Sequence, residues 1–532
     1  MFGAYKRIIV VLSLILLILL AACNGSNESS GSTSNEPGAA GDGAEDATSA
    51  LNIAMGAQPP NLDPHMSATI ATRDVGKQIY ETLITVDEEY NQVPMLAESV
   101  QQSEDGKTYT FNLREGIMFH NGKEMTSEDV VASMERWLEY NDSAQMFLDE
   151  AEFKAEDTYK VTLEVATPSI FILATLGTTT QIPAIMPKEV VDSTPESGVT
   201  EHIGTGPFKF EEWKQDQYIH LSKYEDYQSL DSEPNGLSGK KEVFIKDVYF
   251  QIVPDTSTQV SGLQTGQYNL LLEAPNDNYQ MMLDDPSIET TINDYGPYSL
   301  IFNKNAGVFQ DVDMRQAVNA GIDFTEILET SFVHEHIYEV DSSYVSTKNE
   351  KWYSDEGKEY YNQNDPEKAK KMLAEAGYDG EEVKILTTRD YPHIYNTGVV
   401  LEQQLDNLGI NVSLEVYDWA TAISTRNNEP EEWDFFITGD QFFITPIENY
   451  VYTHDQYRDL NNSKLDGLIS DIKNAESEED AKVMWDKLQQ YSWENLPLIK
   501  VGNFNKVSAL NSNVIGYRYL DGPILWGTKI EK

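Results

Sequence analysis

In the first half of the chain, apolar and polar residues alternate in short runs, the period expected of half-buried strands. The runs that alternate, or that are apolar over strand length, are residues 51–56, 108–113, 160–165, 208–210, 218–221 and 243–253. One helix is predicted among them, because Thr126-x-x-Asp129 has capping-box spacing and precedes an apolar stripe that includes Trp137. The first half is therefore predicted to be strand-rich, without repeated helical crossovers.

From about Ser299 onwards, strand-length runs alternate with longer helical stripes. Asp365-Pro366 predicts a helix start with proline at the first helical position, and Gly377 predicts the end of that helix. Ser477-x-x-Asp480 predicts the start of a later, longer helix. Strands are predicted at residues 383–386, 411–416, 432–437 and 498–501. This order is typical of a parallel α/β lobe, after which the aromatic tail is predicted to return to the first lobe.

The amino terminus has a different pattern, in which Lys6-Arg7 precedes an apolar run that ends at Leu20-Ala21-Ala22-Cys23. The run is shorter than the roughly 20 residues a spanning helix needs, so it predicts a secretory signal. Its ending resembles the bacterial lipoprotein box, which implies a signal peptide at 1–22 and a lipid on the Cys23 thiol. An uncleaved anchor and an ordinary export signal with a chance cysteine are the alternatives. Residues 24–50 lack aromatic side chains and predict a disordered linker.

Composition restricts the classes of partner. The chain has 88 acidic residues against 38 Lys and Arg, a net charge of −50, which excludes a basic nucleic-acid footprint. Such an acid excess either attracts cationic ligands or solvates the surface in saline or alkaline surroundings, and we favour the surface explanation. The single cysteine precludes an intrachain disulfide, and a length of 532 residues predicts more than one lobe.

Patterns that carry catalysis are weak in this sequence. The glycine-rich run 204–207 ends in Pro207, which removes an amide donor, and a strand follows it, so it does not predict a phosphate cradle. Only His334-x-His336 places two histidines close together, and that spacing puts them on different faces of a helix. We find no nucleophile elbow. We therefore expect no catalytic residue, no set of metal ligands, no cofactor and no enzymatic activity.

Residues 94–136 resemble the signature of family 5 extracellular solute-binding proteins, the dipeptide, oligopeptide, glutathione and nickel receptors of bacterial ABC importers. Further matches follow in the family's order at residues 61–65, 79–83, 203–208, 262–266, 313–318 and 365–378. The resemblance covers residues 51–532 and implies an α/β, two-lobed periplasmic-binding-protein-like fold (type II) with an extra subdomain inserted in lobe I. The expected boundaries are 51–300 for lobe I, about 92–200 for the subdomain, 301–499 for lobe II and 500–532 for the return to lobe I.

The resemblance also implies that a solute binds between lobes that close about crossover strands. Peptide-binding members hold the ligand's ammonium with an aspartate after a lobe II strand, which corresponds to Thr438-Gly439-Asp440; a simple strand-end turn is the alternative. Arg389, with Tyr391 near it, corresponds to the arginine that binds the ligand's carboxylate, unless it forms an internal salt bridge. Phe442 departs from the family's polar loop and predicts a more apolar wall. Residues 174–182 correspond to a segment that lines the cleft.

We therefore predict a monomeric, lipid-anchored receptor on the extracellular face of the cell membrane. Its expected partners are a short peptide ligand, the transmembrane subunits of an ABC permease and the lipid bilayer through acylated Cys23, with no nucleic acid. A receptor for nickel, a metal chelate or another small solute is the nearest alternative. A sensing or adhesion protein on the same fold is a second, and a hydrolase would need an activated nucleophile that the sequence does not offer.

Overall fold

The computed structural model describes residues 50–148, 150–440, 442–453 and 462–531. The predicted signal peptide, Cys23 and the linker up to residue 49 lie outside these ranges. The first strand begins at Ala50, the last residue of the predicted linker. Within the described ranges, no helix is both long enough and apolar enough to cross a bilayer.

The strands of the described chain, in order, are β1 (Ala50–Met55), β2 (Ile84–Val86), β3 (Gln92–Pro94), β4 (Ala97–Gln102), β5 (Thr108–Leu113), β6 (Glu152–Asp157), β7 (Lys160–Glu164), β8 (Phe208–Lys214), β9 (Tyr218–Lys223), β10 (Asp247–Ile252), β11 (Leu270–Leu271), β12 (Ile288–Phe302), β13 (Tyr338–Glu339), β14 (Val383–Thr388), β15 (Val412–Tyr417), β16 (Phe435–Gly439), β17 (Leu498–Asn511), β18 (Val514–Ile515), β19 (Arg518–Tyr519), β20 (Pro523–Ile524) and β21 (Lys529–Ile530). The helices are α1 (Ile70–Ile79), α2 (Ser127–Tyr140), α3 (Asp142–Leu148), α4 (Ile172–Leu176), α5 (Lys188–Ser193), α6 (Thr256–Thr265), α7 (Tyr279–Leu283), α8 (Val312–Gly321), α9 (Phe324–Phe332), α10 (Pro366–Glu375), α11 (Pro392–Leu408), α12 (Trp419–Asn428), α13 (Tyr450–Thr453), α14 (Ser463–Lys473) and α15 (Glu478–Asn495).

Two long antiparallel strands, β12 and β17, join the sheets of the two lobes. In the first lobe, β1 runs parallel to β10 and β11, and β11 pairs with β17. In the second lobe, β14 runs parallel to β15 and β16, and β16 pairs with β12. A continuous strand path therefore runs from β15 in one lobe through both long strands to β8 in the other. This is the α/β, two-lobed arrangement that the sequence predicted.

The middle of β12 departs from regular pairing at Pro297. The register between β12 and β17 shifts between Asp294 and Gly296, and again between Tyr298 and Ser299. A proline has no N–H to donate to a ladder, so strands accommodate it at such irregularities. The carbonyl oxygen of Pro297 accepts a hydrogen bond from the Asp440 N–H at 2.8 Å. The chain leaving β16 is thereby fixed to the strand that connects the lobes.

A separate antiparallel sheet, in the order β4-β5-β7-β6, forms the subdomain inserted in lobe I. Helix α2 accompanies it and begins at the predicted capping box, where the Asp129 carboxylate accepts from the Thr126 N–H at 2.9 Å. Val130, Met134 and Trp137 on this helix are buried, as the apolar stripe predicted. The residue limits proposed for the subdomain and the lobes remain predictions.

In the second half of the chain, the predicted limits of helices agree with the structure more closely than the predicted starts of strands. The Ser477 hydroxyl accepts from the Asp480 N–H at 3.1 Å at the start of α15, and Gly377 adopts φ +83° after α10. The strand predicted at 432–437 begins only at Phe435, because Pro430–Glu432 forms a 3-10 turn. In the first half of the chain, the strand predicted at 243–253 likewise begins late, at Asp247.

Candidate functional site

A cavity of about 890 Å³ is walled by segments of both lobes. The first lobe contributes the β2–β3 turn and the turn after β19, the second lobe contributes the loops 348–352 and 442–445, and the crossover strand β12 contributes residues 291–294. Its volume lies within the roughly 300–1,000 Å³ that is usual for small-ligand sites. The cavity therefore has the place and size of a ligand site between two lobes.

Aromatic side chains connect the two sides of this cavity. The rings of Tyr90, in the β2–β3 turn, and Phe442, in the loop after β16, stack with centroids 4.1 Å apart and an interplanar angle of 19°. The rings of Phe171 and Trp352 lie 5.6 Å apart in a tilted arrangement. All four residues line the cavity, and Tyr90 has φ +61°. The predicted apolar wall at Phe442 is thus paired with a ring from the opposite lobe.

A second, smaller cavity of about 130 Å³ shares Tyr519 with the large one. Its wall contains a three-residue charge bridge: the Glu273 carboxylate lies 3.2 Å from His393 Nδ1 and 2.9 Å from Lys506 Nζ. Glu273 follows β11 in the first lobe, His393 lies on α11 in the second, and Lys506 belongs to β17. Burial opposes ionisation of Glu273, but the charges of Lys506 and His393 outweigh it and hold its pKa well below the usual range.

A second polar bridge between the lobes involves Glu448. The Thr178 hydroxyl donates to its Oε1 at 2.9 Å, and the Ile444 and Thr445 N–H groups donate to its Oε2 at 2.9 and 3.2 Å. Burial raises the pKa of Glu448 to about 7, although these hydrogen bonds favour the charged form. Thr178 belongs to the segment 174–182 that the sequence predicted to line the cleft, and Ala174 of that segment lines the large cavity.

The predicted ammonium-binding run lies at the end of β16. A Cβ on Gly439 would lie 2.3 Å from Phe504 Cε1, so only glycine fits beside that ring. Thr438 is buried, and Asp440 is half-buried with its N–H bonded to Pro297. The walls of the two cavities, traced over the described residues, do not include Thr438, Gly439 or Asp440. The assignment of Asp440 to the ligand remains a prediction.

Arg389 and Tyr391 are placed differently from each other. The Arg389 side chain is exposed, donates from Nη2 to the Tyr395 hydroxyl at 3.0 Å and lies 4.7 Å from the centroid of that ring. Within the described ranges it forms no ion pair, so the internal salt bridge considered for it is not found there. Tyr391 lines the small cavity and packs edge-on against Trp419 at 5.2 Å. Whether either residue contacts ligand remains a prediction.

Several cavity residues carry no local sequence signal. Tyr90, Trp352 and Asp521 in the wall of the large cavity, and Glu273 in the wall of the small one, come from segments far apart in the sequence, and only the fold brings them together. A tyrosine in an acidic turn and a single aspartate in the tail are common surface features. Across the described residues, no three His, Cys, Asp or Glu side chains are arranged to hold a metal ion.

This two-lobed fold and its cavity match a known class of binding protein. The sequence signature described as "Bacterial extracellular solute-binding proteins, family 5 Middle" matches residues 91–462, and the chain belongs to this family. The solved structures it resembles include DppA from Helicobacter pylori in complex with peptide STSA, with a TM-score of 0.79 and 22% identity over 91% of this chain and 98% of that one. That likeness supports the two-lobed fold.

Curated relatives match over nearly the full length. The "Probable peptide ABC transporter periplasmic-binding protein y4tO" of Sinorhizobium fredii is 28% identical over 497 residues, covering 87% of this chain and 90% of that protein. The "Oligopeptide-binding protein AppA" of Bacillus subtilis is 26% identical over 554 aligned positions, covering 97% of this chain and 96% of that protein. Both names refer to peptides or peptide transport.

Proposed function

We propose that this protein is the extracellular substrate-binding lipoprotein of an ABC importer, capturing short peptides between its lobes and delivering them to the permease. The observation that carries the proposal is the cavity of about 890 Å³ whose wall is shared by both lobes and the crossover strand. Relatives that span almost the whole chain bear peptide-binding names, which supports a peptide as the ligand. The protein binds and releases its ligand without chemical change.

Closure of the lobes is the proposed mechanical step. A ligand shifts the equilibrium towards the closed form only by its preference for that form, so contacts with both lobes are required. The Tyr90–Phe442 stack and the Thr178–Glu448 hydrogen bond are contacts between lobes that would break on opening. We propose that ligand binding and these contacts stabilise the closed form together, and that the permease recognises this form.

Within the cleft, we propose that Asp440 receives the peptide's ammonium group. A carboxylate placed just after β16 and half-shielded from water suits this ion pair, since its attraction grows as water leaves. We further propose that Arg389 turns from Tyr395 to the peptide's carboxylate and that Tyr391 packs beside the ligand. The lipid on Cys23 would keep the receptor near the permease and raise its effective concentration there.

Calorimetric titration with a mixed set of di- to pentapeptides tests the proposal. We expect saturable binding at one site, and a loss of about tenfold or more in affinity for Asp440→Ala, as expected for a lost charged hydrogen bond of roughly 1.5–3 kcal/mol. Asp231→Asn, at an exposed aspartate outside both cavity walls, is the matched control and should bind as the wild type does. Undiminished affinity in Asp440→Ala would remove Asp440 from the site, and no binding by any peptide would reject the peptide function.

A further inference from the structure

Asp521 has a buried carboxylate in the wall of the large cavity. The resemblance to the family assigns no role to this residue. It lies in the turn between β19 and β20, with φ +47° and only 1% of its surface exposed. Its Oδ2 accepts a hydrogen bond from the Thr179 hydroxyl at 2.6 Å. Its Oδ1 is buried and forms no hydrogen bond of normal geometry with a described residue. The Tyr90 hydroxyl lies close to this carboxylate, since burial and Asp521 together raise the pKa of Tyr90. Burying a carboxylate oxygen without a hydrogen bond costs free energy, so a hydrogen-bond donor from a bound ligand would stabilise this oxygen.

Two cations lie near Asp521, yet neither donates to its carboxylate. Lys77 Nζ donates instead to the backbone oxygens of Leu520 and Asp521, at 3.3 and 2.6 Å. Burial, together with the nearby charge of Arg73, lowers the pKa of Lys77 to about 7, so its positive charge is already partial at neutral pH. Arg73 is paired with Asp74 at 3.5 Å. Asp521 Oδ1 can therefore accept a hydrogen bond from a ligand.

The charges on the cavity wall also favour a cation. The wall carries six carboxylates and three cationic side chains. Each of these cations is paired with a carboxylate of the same wall: Arg518 with Glu88, Lys348 with Asp294, and Lys351 with Glu478. Glu89, Glu350 and Asp521 form no ion pair with any described residue. Two exposed carboxylates of the wall, Glu89 and Glu350, therefore remain without a countercharge, and the buried Asp521 has Arg73 and Lys77 near it but no direct ion pair.

The aromatic side chains complement this charge. Tyr90, Trp352 and Phe442 line the same wall as Asp521. A lysine or arginine side chain has an apolar stem that packs on rings and a charged end that can lie over a ring face or reach a carboxylate. A cavity with aromatic sides and a buried carboxylate that can still accept at Oδ1 suits such a side chain better than an acidic or a purely apolar one.

We propose that the large cavity selects peptides with a lysine or arginine side chain, whose charged end binds Asp521 Oδ1 while Glu89 and Glu350 attract it at the rim. This specificity rests on the proposed peptide-receptor function and adds to it a ligand class and a named binding residue. Asp440 holds the peptide's ammonium terminus, so the two aspartates have separate tasks.

The test compares three tripeptides by calorimetry: Ala-Lys-Ala, Ala-norleucine-Ala and Ala-Glu-Ala. Norleucine keeps a lysine-like stem without the charge. A charged hydrogen bond is worth about 1.5–3 kcal/mol, so we expect the lysine peptide to bind roughly ten- to a hundredfold more tightly than the norleucine peptide, and the glutamate peptide most weakly. In Asp521→Asn the lysine preference should fall to about threefold or less, whereas the exposed control Asp231→Asn should keep it.

Asparagine suits this position, because it tolerates a positive φ and its amide oxygen can still accept from Thr179. Should Asp521→Asn fail to fold, Glu350→Gln at the exposed rim provides the test, with an expected drop of about two- to fourfold in the lysine preference that added salt reduces. Equal affinity of wild type for the lysine and norleucine peptides, or an unchanged preference in the folded variants, would overturn the specificity alone. Failure of all peptides, whatever their charge, would overturn the peptide function itself.

Discussion

At the residue scale, Gly439 shows how closely the end of β16 packs against the crossover strand β17. A Cβ at this position would lie 2.3 and 2.4 Å from two carbons of the Phe504 ring. We expect Gly439→Ala to lower the free energy of unfolding by about 1–3 kcal/mol, the usual cost of overpacking, measured as a lower midpoint of urea unfolding.

Gly467 provides the matched control for that substitution. It lies inside α14, and a Cβ there would meet no atom within 4 Å. Alanine is favoured over glycine in a helix interior by about 0.5–1 kcal/mol, so Gly467→Ala should raise the unfolding midpoint. If both alanine variants shifted the midpoint in the same direction, the close approach of Phe504 to Gly439 would be contradicted.

Glu273 gives a residue-scale prediction with a defined pH dependence. Its pKa is depressed in the native state, so its contribution to stability is complete above the ordinary value of 4.5 and declines as the pH falls below it. Glu273→Gln should therefore lower the free energy of unfolding by about 1–3 kcal/mol at pH 7, and the deficit should shrink below pH 4.5.

Parallel urea titrations at pH 7 and at pH values below 4.5 measure this deficit. Glu335→Gln is the control, because Glu335 is exposed and has no ion pair in the described chain. A deficit that stays constant as the pH falls would mean that the charge bridge to Lys506 and His393 does not stabilise the fold.

At the element scale, the Glu448 side chain attaches the loop after β16 to the first lobe. The expected effect of pH on its contribution to stability is opposite in sign to that of Glu273. The pKa of Glu448 is raised from 4.5 to about 7, so the native state holds a proton that the unfolded state has lost between these values. Wild-type stability should therefore fall, relative to Glu448→Gln, as the pH rises from 4.5 to 7. The difference should amount to at most about 3 kcal/mol, given 1.36 kcal/mol per unit of pKa.

Thermal unfolding of wild type and Glu448→Gln across pH 4.5–8 provides the measurement. The glutamine side chain has a carbonyl oxygen that can accept from one of the loop N–H groups and an amide NH2 that can donate to the Thr178 hydroxyl. Parallel stability curves for the two proteins would contradict the raised native-state pKa of Glu448.

The helices and strands also show which elements could be predicted from sequence patterns and which could not. Helix starts with local caps were predictable, since Asp365 accepts from the Lys368 N–H at 3.0 Å and Ser477 from the Asp480 N–H. Strand β12 was not predicted, because Gly296-Pro297 at its centre suggests a turn and its second half is buried on both faces, which removes the alternation. Its role as a crossover strand follows from pairing with β17, about two hundred residues later.

At the scale of the whole molecule, the sequence predicted the two-lobed fold through motifs along its full length, and the described structure confirms it. The candidate site was less predictable. Phe442 and Tyr391 line the two cavities, whereas Arg389 is turned towards Tyr395. Asp521 enters the large cavity only because the carboxyl-terminal tail returns beside Thr179, and no local pattern encodes that proximity.

The proposed membrane attachment makes a separate prediction for the whole molecule. In cells grown with an alkyne analogue of palmitate, the wild-type protein should be labelled, and Cys23→Ala, which has no other thiol, should not be. Wild type should also sediment with membranes. Labelling of the alanine variant, or unlabelled wild-type protein, would contradict acylation of Cys23.

The central claim, that a peptide occupies the space between the lobes, is tested most directly by mass spectrometry of the ligand released from protein purified without denaturant. We expect peptides of two to about five residues, enriched in lysine and arginine relative to the peptides of the same extract. Recovery of a metal chelate or another non-peptide solute as the bound species would contradict the claim.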